Sequence, residues 1–388
     1  MKQLNNEQLK VLKYHQKNIG VLEIKSDLKI ENREDLSLAY TPGVAILSEL
    51  IKEFPETKKD YTMSGKLIAV ITDGTAVLGL GNIGPISGLP VVEGKALIYK
   101  DLAGINALPL AIKQTDIFET VTTIKNISDS FAGIHLEDIA APRCFEIEER
   151  LRHELDIPVY HDDQEGTAIV VLAGLINAAK VCDKDLKKMR ILINGMGAAG
   201  VAIAKLLHAV GFENLTLLDR QGVITSQTVT ANKWQRDAAS GTEKNVSGKL
   251  LIEAIKNQDV FIGVSVGGVL SPAMIRTMKS DPIIFALANP IPEILPKIAA
   301  EAGAAVIATG SSEYSNQINN ILVFPGMFKG LLEQGIKKIT FELEDRIAQA
   351  IAGLVKEPSR NEIVPNALDP AVVKVVSEAF MKEVLINN

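Results

Sequence analysis

The chain has 388 residues, 47% of them apolar and 23% charged, with a net charge of −6. This length exceeds one ordinary domain, and the mild acidic balance argues against nucleic acid or an anionic membrane surface as a partner. The only cysteines, Cys144 and Cys182, stand in no metal-ligand spacing, which excludes a zinc cluster and a disulfide framework.

The N-terminal stretch MKQLNNEQLKVLKYHQ is amphipathic and lacks the apolar core of a signal peptide. The apolar run AIVVLAGLINAA is too short to cross a bilayer. A soluble, cytoplasmic protein is expected. Residues 6–18 read as an exposed helical arm suited to an oligomer contact, and 35–40 read as extended. Thr41 and Pro42 then supply N-cap and first-turn chemistry for a helix to about residue 54. LIAVITDG (67–74) is a buried strand. The following GLGNIG (79–84) fits a dinucleotide-loop pattern, but Pro85, Gly88 and Pro90 come next, so no helix is expected to start there. It reads either as plain turn chemistry or as a loop lining a cleft. A helix near 92–104, strands near 108–112 and 131–136, and a helix over 116–127 follow. CFEIEERLRHEL has helical periodicity and precedes the strand IPVYHDD. TAIVVLAGLINAAKV (167–181), apolar nearly all round, reads as a central helix between two domains, 1–163 and 164–388.

From residue 189 strands alternate with helices: RILING, NLTLLD, DVFIGVS, PIIFALAN and AAVIATG are the strands. The pattern predicts an α/β protein whose C-terminal domain is a Rossmann-like, doubly wound parallel sheet with a helical tail.

Two acidic pairs stand out. Asp162 and Asp163 end the strand IPVYHDD, and Glu137 and Asp138 end FAGIHLED one strand–helix–strand unit earlier. Adjacent carboxylates at a strand tip repel and lose hydration unless something positive lies between them. Neighbouring parallel strands bring both pairs to one carboxyl edge, where α/β proteins bind ligands. Oxygen-only ligands from Glu137, Asp138 and Asp163 suit Mg²⁺ or Mn²⁺; solvated acidic loops are the alternative. His161, on the opposite strand face from Asp162, reads as a packed, hydrogen-bonded histidine.

GMGAAG (Gly195, Met196, Gly197, Ala198, Ala199, Gly200) follows a strand and opens a helix, as a dinucleotide fingerprint requires. Asp219 ends the next strand, where an acid accepts from ribose hydroxyls. NAD is favoured, with NADP possible because Arg220 adjoins it. Lys95 lies on an apolar segment, where burial beside a cation would depress its pKa into the range of a base; a snorkelling surface lysine is the alternative. Tyr40, Asn289, Asn319 and Asn320 have equally ordinary readings as core, cap or turn residues.

Taken together, LAYTPGVA, TDGTAVLGLGNIG, VVEGKALIYKDLAGI, HLED, HDDQEGTA, GMGAAG, ALANP and NQINNILVFPG, in this order from 38 to 326, resemble the malic enzymes of the short bacterial type. The resemblance implies oxidative decarboxylation of malate to pyruvate and CO₂ with a nicotinamide cofactor and Mg²⁺ or Mn²⁺. It casts Lys95 as the base for the C2 hydroxyl, Asp162 as its partner, and Tyr40 as the acid that protonates the enol. Glu137, Asp138 and Asp163 become metal ligands, and Asn289 and Asn320 contacts to malate or the nicotinamide. A homodimer or larger homo-oligomer is implied as well. Three positions depart from the pattern. Ala76 stands where longer members grip a malate carboxylate with arginine, Ser311 where short members often carry arginine, and Glu165 where they often carry histidine. Malolactic conversion with retained NAD, a non-decarboxylating 2-hydroxy acid dehydrogenase, and a silent NAD-binding regulator are the competing readings.

Overall fold

The computed structural model describes residues 5–16, 19–77, 79–240 and 250–381, in which ten strands form two separate sheets. The first comprises β1 (Leu67–Thr72), β2 (Asn106–Ala111), β3 (Gly133–Glu137) and β4 (Val159–His161), in the order β2-β1-β3-β4, all parallel. Consecutive apolar residues make β1 a central strand: Ile68, Ala69, Val70 and Ile71 are fully buried, as strands covered on both faces must be.

The second sheet comprises β5 (Ile191–Asn194), β6 (Leu215–Asp219), β7 (Gly222–Ile224), β8 (Val260–Gly263), β9 (Ile283–Ala286) and β10 (Val306–Thr309). Its order is β10-β9-β8-β5-β6-β7, parallel except for β7, which closes a hairpin with β6. Chain order reverses beside β1 in one sheet and beside β5 in the other. Each reversal opens a crevice at the strand carboxyl ends, the place where such sheets take ligands.

Between the sheets runs the predicted helix Thr167–Val181, most of whose residues are buried. Its one buried amide, Asn177, donates to the carbonyls of Ala352 and Ile363, both at 2.9 Å, so the polar group costs little there. No helix among the described residues is long and apolar enough to cross a membrane.

Several expectations are corrected. Residues predicted as extended form the helix Arg33–Ala39, because Asn32 caps it by accepting from the Asp35 N–H at 2.9 Å. The next helix, Gly43–Glu53, starts after Pro42 and is not capped by the Thr41 side chain. A helix does begin directly after GLGNIG, running Pro85–Ala103. Pro85 occupies its first position, where a missing N–H loses no bond. Pro90 is accommodated inside, and the carbonyl it cannot bond belongs to Ile86, a highly exposed residue. The three-residue β7 was not foreseen. The predicted helical residues at 17–18 and 382–385 lie outside the described residues.

Candidate active site

The acidic pairs meet as their strands dictate. β3 and β4 are parallel neighbours with Leu136 opposite His161, so Glu137–Asp138 and Asp162–Asp163 leave the sheet side by side. The Asp138 N–H donates to Asp163 Oδ2 at 2.9 Å, tying one pair to the other. Asp138 adopts φ +55, a left-handed conformation that turns the chain sharply at the strand tip. Carboxylate oxygens of Glu137, Asp138 and Asp163 lie within 4.8 Å of one another. Burial, then the charge of Glu137, pushes Asp163 up to about 6, and burial, against the opposing charge of Lys95, pushes Glu137 up to about 7. Crowded carboxylates held up in this way are relieved by a cation, and an all-oxygen set fits Mg²⁺ or Mn²⁺.

Lys95 projects from the helix Pro85–Ala103 into the same crevice. Its Nζ pairs with Asp162, lies 3.2 Å from Glu137 Oε1 and 3.3 Å from Asn320 Oδ1, and sits 4.7 Å above the Phe324 ring. Burial alone would depress its pKa, as the sequence suggested. The charges of Asp162 and Glu137 outweigh burial, so without a bound cation the ammonium is held well above its usual range.

Three further residues brace this cluster, and sequence reading missed them. Tyr160 Oη donates to Asp162 Oδ1 at 2.5 Å. His135 Nε2 lies 2.7 Å from Glu137 Oε2, and its Nδ1 lies 2.8 Å from Tyr99 Oη. Burial pushes His135 down to about 4, so it is neutral; one arrangement has Nε2–H donating to Glu137 and Nδ1 accepting from Tyr99. A signal was available: His135 and Glu137, like Tyr160 and Asp162, are two apart on a strand and share a face. Asp162 and the residues up to Gly166 form a π-helical turn. Gly166 is required there, since a Cβ would come within 2.3 Å of both Asp162 Oδ1 and Tyr160 Oη.

His161 lies on the opposite strand face, as expected, but its ring is not hydrogen-bonded among the described residues. Both ring nitrogens are buried without a hydrogen-bond partner, and Nδ1 stands 3.8 Å from Asp163 Oδ2. Burial lowers its pKa, so an uncharged ring tolerates this setting.

At the second crevice, GMGAAG joins β5 to the helix Ala198–Ala209. Gly195 has φ +112, and a Cβ on Gly200 would come within 1.8 Å of the Gly195 carbonyl. Around Gly197 a Cβ would meet nothing, which leaves the space that a pyrophosphate needs beside the helix N-terminus. Met196 is buried, while Ala198 and Ala199 form the first turn. Asp219 stands at the end of β6 beside a cavity of about 200 Å³, and its carboxylate accepts from the Arg220 N–H at 2.7 Å and from Gln235 Nε2 at 3.3 Å.

The remaining candidates divide. Asn320 joins the cluster through Lys95, whereas Asn319 caps a short turn by accepting from the Ile321 N–H at 3.0 Å. Asn289 lies exposed beyond β9 with its carbonyl packed on Gly79, so the GLGNIG loop touches the loop that follows a strand of the second sheet. Tyr40 is 64% exposed, and no hydrogen bond links its side chain to the cluster. The structure therefore gathers Lys95, Asp162, Glu137, Asp138, Asp163 and Asn320, and leaves Tyr40 outside.

Known proteins match nearly the whole chain. Residues 20–116 and 111–152 match the family described as malic enzyme, N-terminal domain, and residues 164–383 match malic enzyme, NAD binding domain. The chain is 47% identical to the bifunctional malic/malolactic enzyme of Bacillus subtilis, covering 96% of this chain and 92% of that protein. It is 46% identical to the NAD-dependent malic enzyme of Geobacillus stearothermophilus, covering 94% and 76% respectively. Among solved structures, the malic enzyme of Pyrococcus horikoshii superposes with a TM-score of 0.94 at 42% identity, over 98% of this chain and 91% of that one. With two matching domain families, such identity and a shared overall architecture, the chain belongs to the malic enzyme family.

Proposed function

We propose that the protein oxidises and decarboxylates malate to pyruvate and CO₂, reducing NAD or NADP, with a divalent cation held by Glu137, Asp138 and Asp163. The observation that carries this reading is the Lys95 ammonium set among Asp162, Glu137 and Asn320 beside that acidic trio. When bound, the nicotinamide supplies the hydride acceptor at C2 and the cation withdraws electrons from the substrate oxygens as CO₂ leaves. Lys95 takes the C2 hydroxyl proton. It reaches the neutral amine for that task once positive charge among the acids offsets the pull of Asp162 and Glu137. Asp162, braced by Tyr160, fixes the amine's position. Tyr40 returns a proton to C3 of the enol, and Asn289 and Asn320 contact substrate or nicotinamide. Residues 1–163 carry the base and the acids, and 164–388 the dinucleotide site.

Asp219 disfavours a 2′-phosphate, which favours NAD, although relatives are named for either dinucleotide. A malolactic branch is kept as a second reading because the Bacillus subtilis relative is named as bifunctional. One spectrophotometric assay separates these. Malate with NAD and Mn²⁺ should yield NADH and pyruvate, and EDTA should stop it. Lactate without net NADH would support the malolactic branch, and no turnover with either dinucleotide would overturn both.

We also propose a homodimer. The helices Asn6–Gln16, Arg33–Ala39 and Gly43–Glu53 bury no residue and present Leu12, Leu38 and Ile46 to solvent, as does Tyr40 at the end of the second. Apolar surface grouped in this way is what a second copy would cover. Tyr40 on that surface would then serve the crevice of its neighbour.

A further inference from the structure

Behind the acidic crevice lies a second cavity, of about 370 Å³, that the proposed reaction does not use. Five elements wall it: the helix Arg143–Glu154, the turn Asp162–Gly166, the helix Ala198–Ala209, the helix Lys233–Ala238 and the helix Phe341–Ala352. Its inner end is acidic. Glu148, Glu165 and Glu344 are each less than a tenth exposed. One guanidinium serves two of them: Arg152 pairs with Glu148 at 2.7 Å and with Glu165 at 3.1 Å. The Glu344 side chain, 4% exposed, lines the cavity and makes no hydrogen bond or close ion pair among the described residues; the nearby Arg152 guanidinium, already paired with Glu148 and Glu165, acts on it only at longer range. Burying a carboxyl without a close partner is costly, and burial followed by the nearby Glu165 holds this one well above the usual carboxylate range despite the opposing charge of Arg152.

The middle of the cavity is aromatic. Trp234 packs on Phe145 with ring centroids 5.3 Å apart, and Phe341 lines the same space. Glu149 and Glu342, both exposed, stand at the rim. Carboxyls at both ends with aromatic rings between them suit a chain of methylenes carrying an ammonium at each end. The volume also far exceeds the roughly 30 Å³ that one water occupies, so a single bare ion would leave it largely unfilled.

We propose that this cavity binds a small linear aliphatic diamine, one ammonium against Glu344 and the other at the rim. An occupant would adjoin the turn that carries Asp162 and Asp163, because Glu165 accepts the His161 N–H at 2.9 Å and Gln164 donates to Glu148 at 2.6 Å.

Trp234 is the chain's only tryptophan, so its fluorescence reports on this cavity directly, whatever the enzyme's activity. Titrating the intact protein with 1,4-diaminobutane at constant ionic strength should give a saturable change at millimolar concentration or below. Glu344→Gln, similar in shape and without charge, should weaken the half-saturation point by roughly tenfold, the scale of one lost charged hydrogen bond. Glu342→Gln at the exposed rim, which carries little folding risk, should weaken it by less, and butylamine should bind more weakly than the diamine. A response absent in the wild type, equal for butylamine or sodium chloride, or unchanged in both variants would overturn the proposal. If Glu344→Gln unfolds, the rim variant and the butylamine comparison decide.

Discussion

At the residue scale, Lys95 illustrates how neighbours overrule burial. A lysine on an apolar helix invites the expectation of a depressed pKa, yet two carboxylates reverse the sign. Lys95→Ala should lower kcat/KM for malate oxidation by about 10²–10⁴-fold, the usual weight of a positioned base, and leave NAD affinity nearly unchanged. Normal turnover would remove Lys95 from the chemistry. The acids themselves predict a pH effect. Glu137 and Asp163 are pushed up to about 7 and about 6, so protons and the cation compete for them. Mn²⁺ affinity, measured by calorimetry on chelator-stripped protein, should therefore fall as pH drops through this window and level off above it. Asp163→Asn should weaken Mn²⁺ at every pH, and an unchanged affinity would exclude it as a ligand.

At the element scale, strands that end in Asp, Gly or Asn were legible because parallel strands buried on both faces write themselves as unbroken apolar runs. The two acidic pairs were legible for a related reason: strand tips at a reversal of chain order must lie together. What was hidden followed from partners remote in sequence. Tyr99 reaches His135 from a helix thirty-six positions earlier, and nothing in either segment alone announces it. The helix at Pro85 was missed because proline reads as a breaker, although the first position of a helix is where it is best tolerated. The turn Asp162–Gly166 offers a test at this scale. Gly166→Ala must push aside the Tyr160 hydroxyl and Asp162, which should lower stability by about 1–3 kcal/mol and impair the base's partner along with it. An unaltered melting temperature with full activity would show that the turn yields without cost.

At the scale of the whole molecule, the exposed apolar arm and the isolation of Tyr40 belong to one question. If each crevice takes its tyrosine from a second copy, mixing Lys95→Ala protein with Tyr40→Phe protein under conditions that allow subunit exchange should restore part of the activity that each lacks. Hybrid dimers would then contain one intact set of groups. Light scattering should give twice the chain's mass; a monomer active at high dilution would sink both ideas.

Asn320 and Phe324, which flank the Lys95 ammonium, belong to a stretch of chain reached only after the second sheet is complete. The amine's surroundings are therefore completed by a segment far along the chain from its carboxylate partners. A fragment that stops before residue 320 would hold every acid and the lysine, yet present an unfinished nest for its reactive nitrogen. The lysine's setting thus joins groups more than two hundred positions apart in the chain.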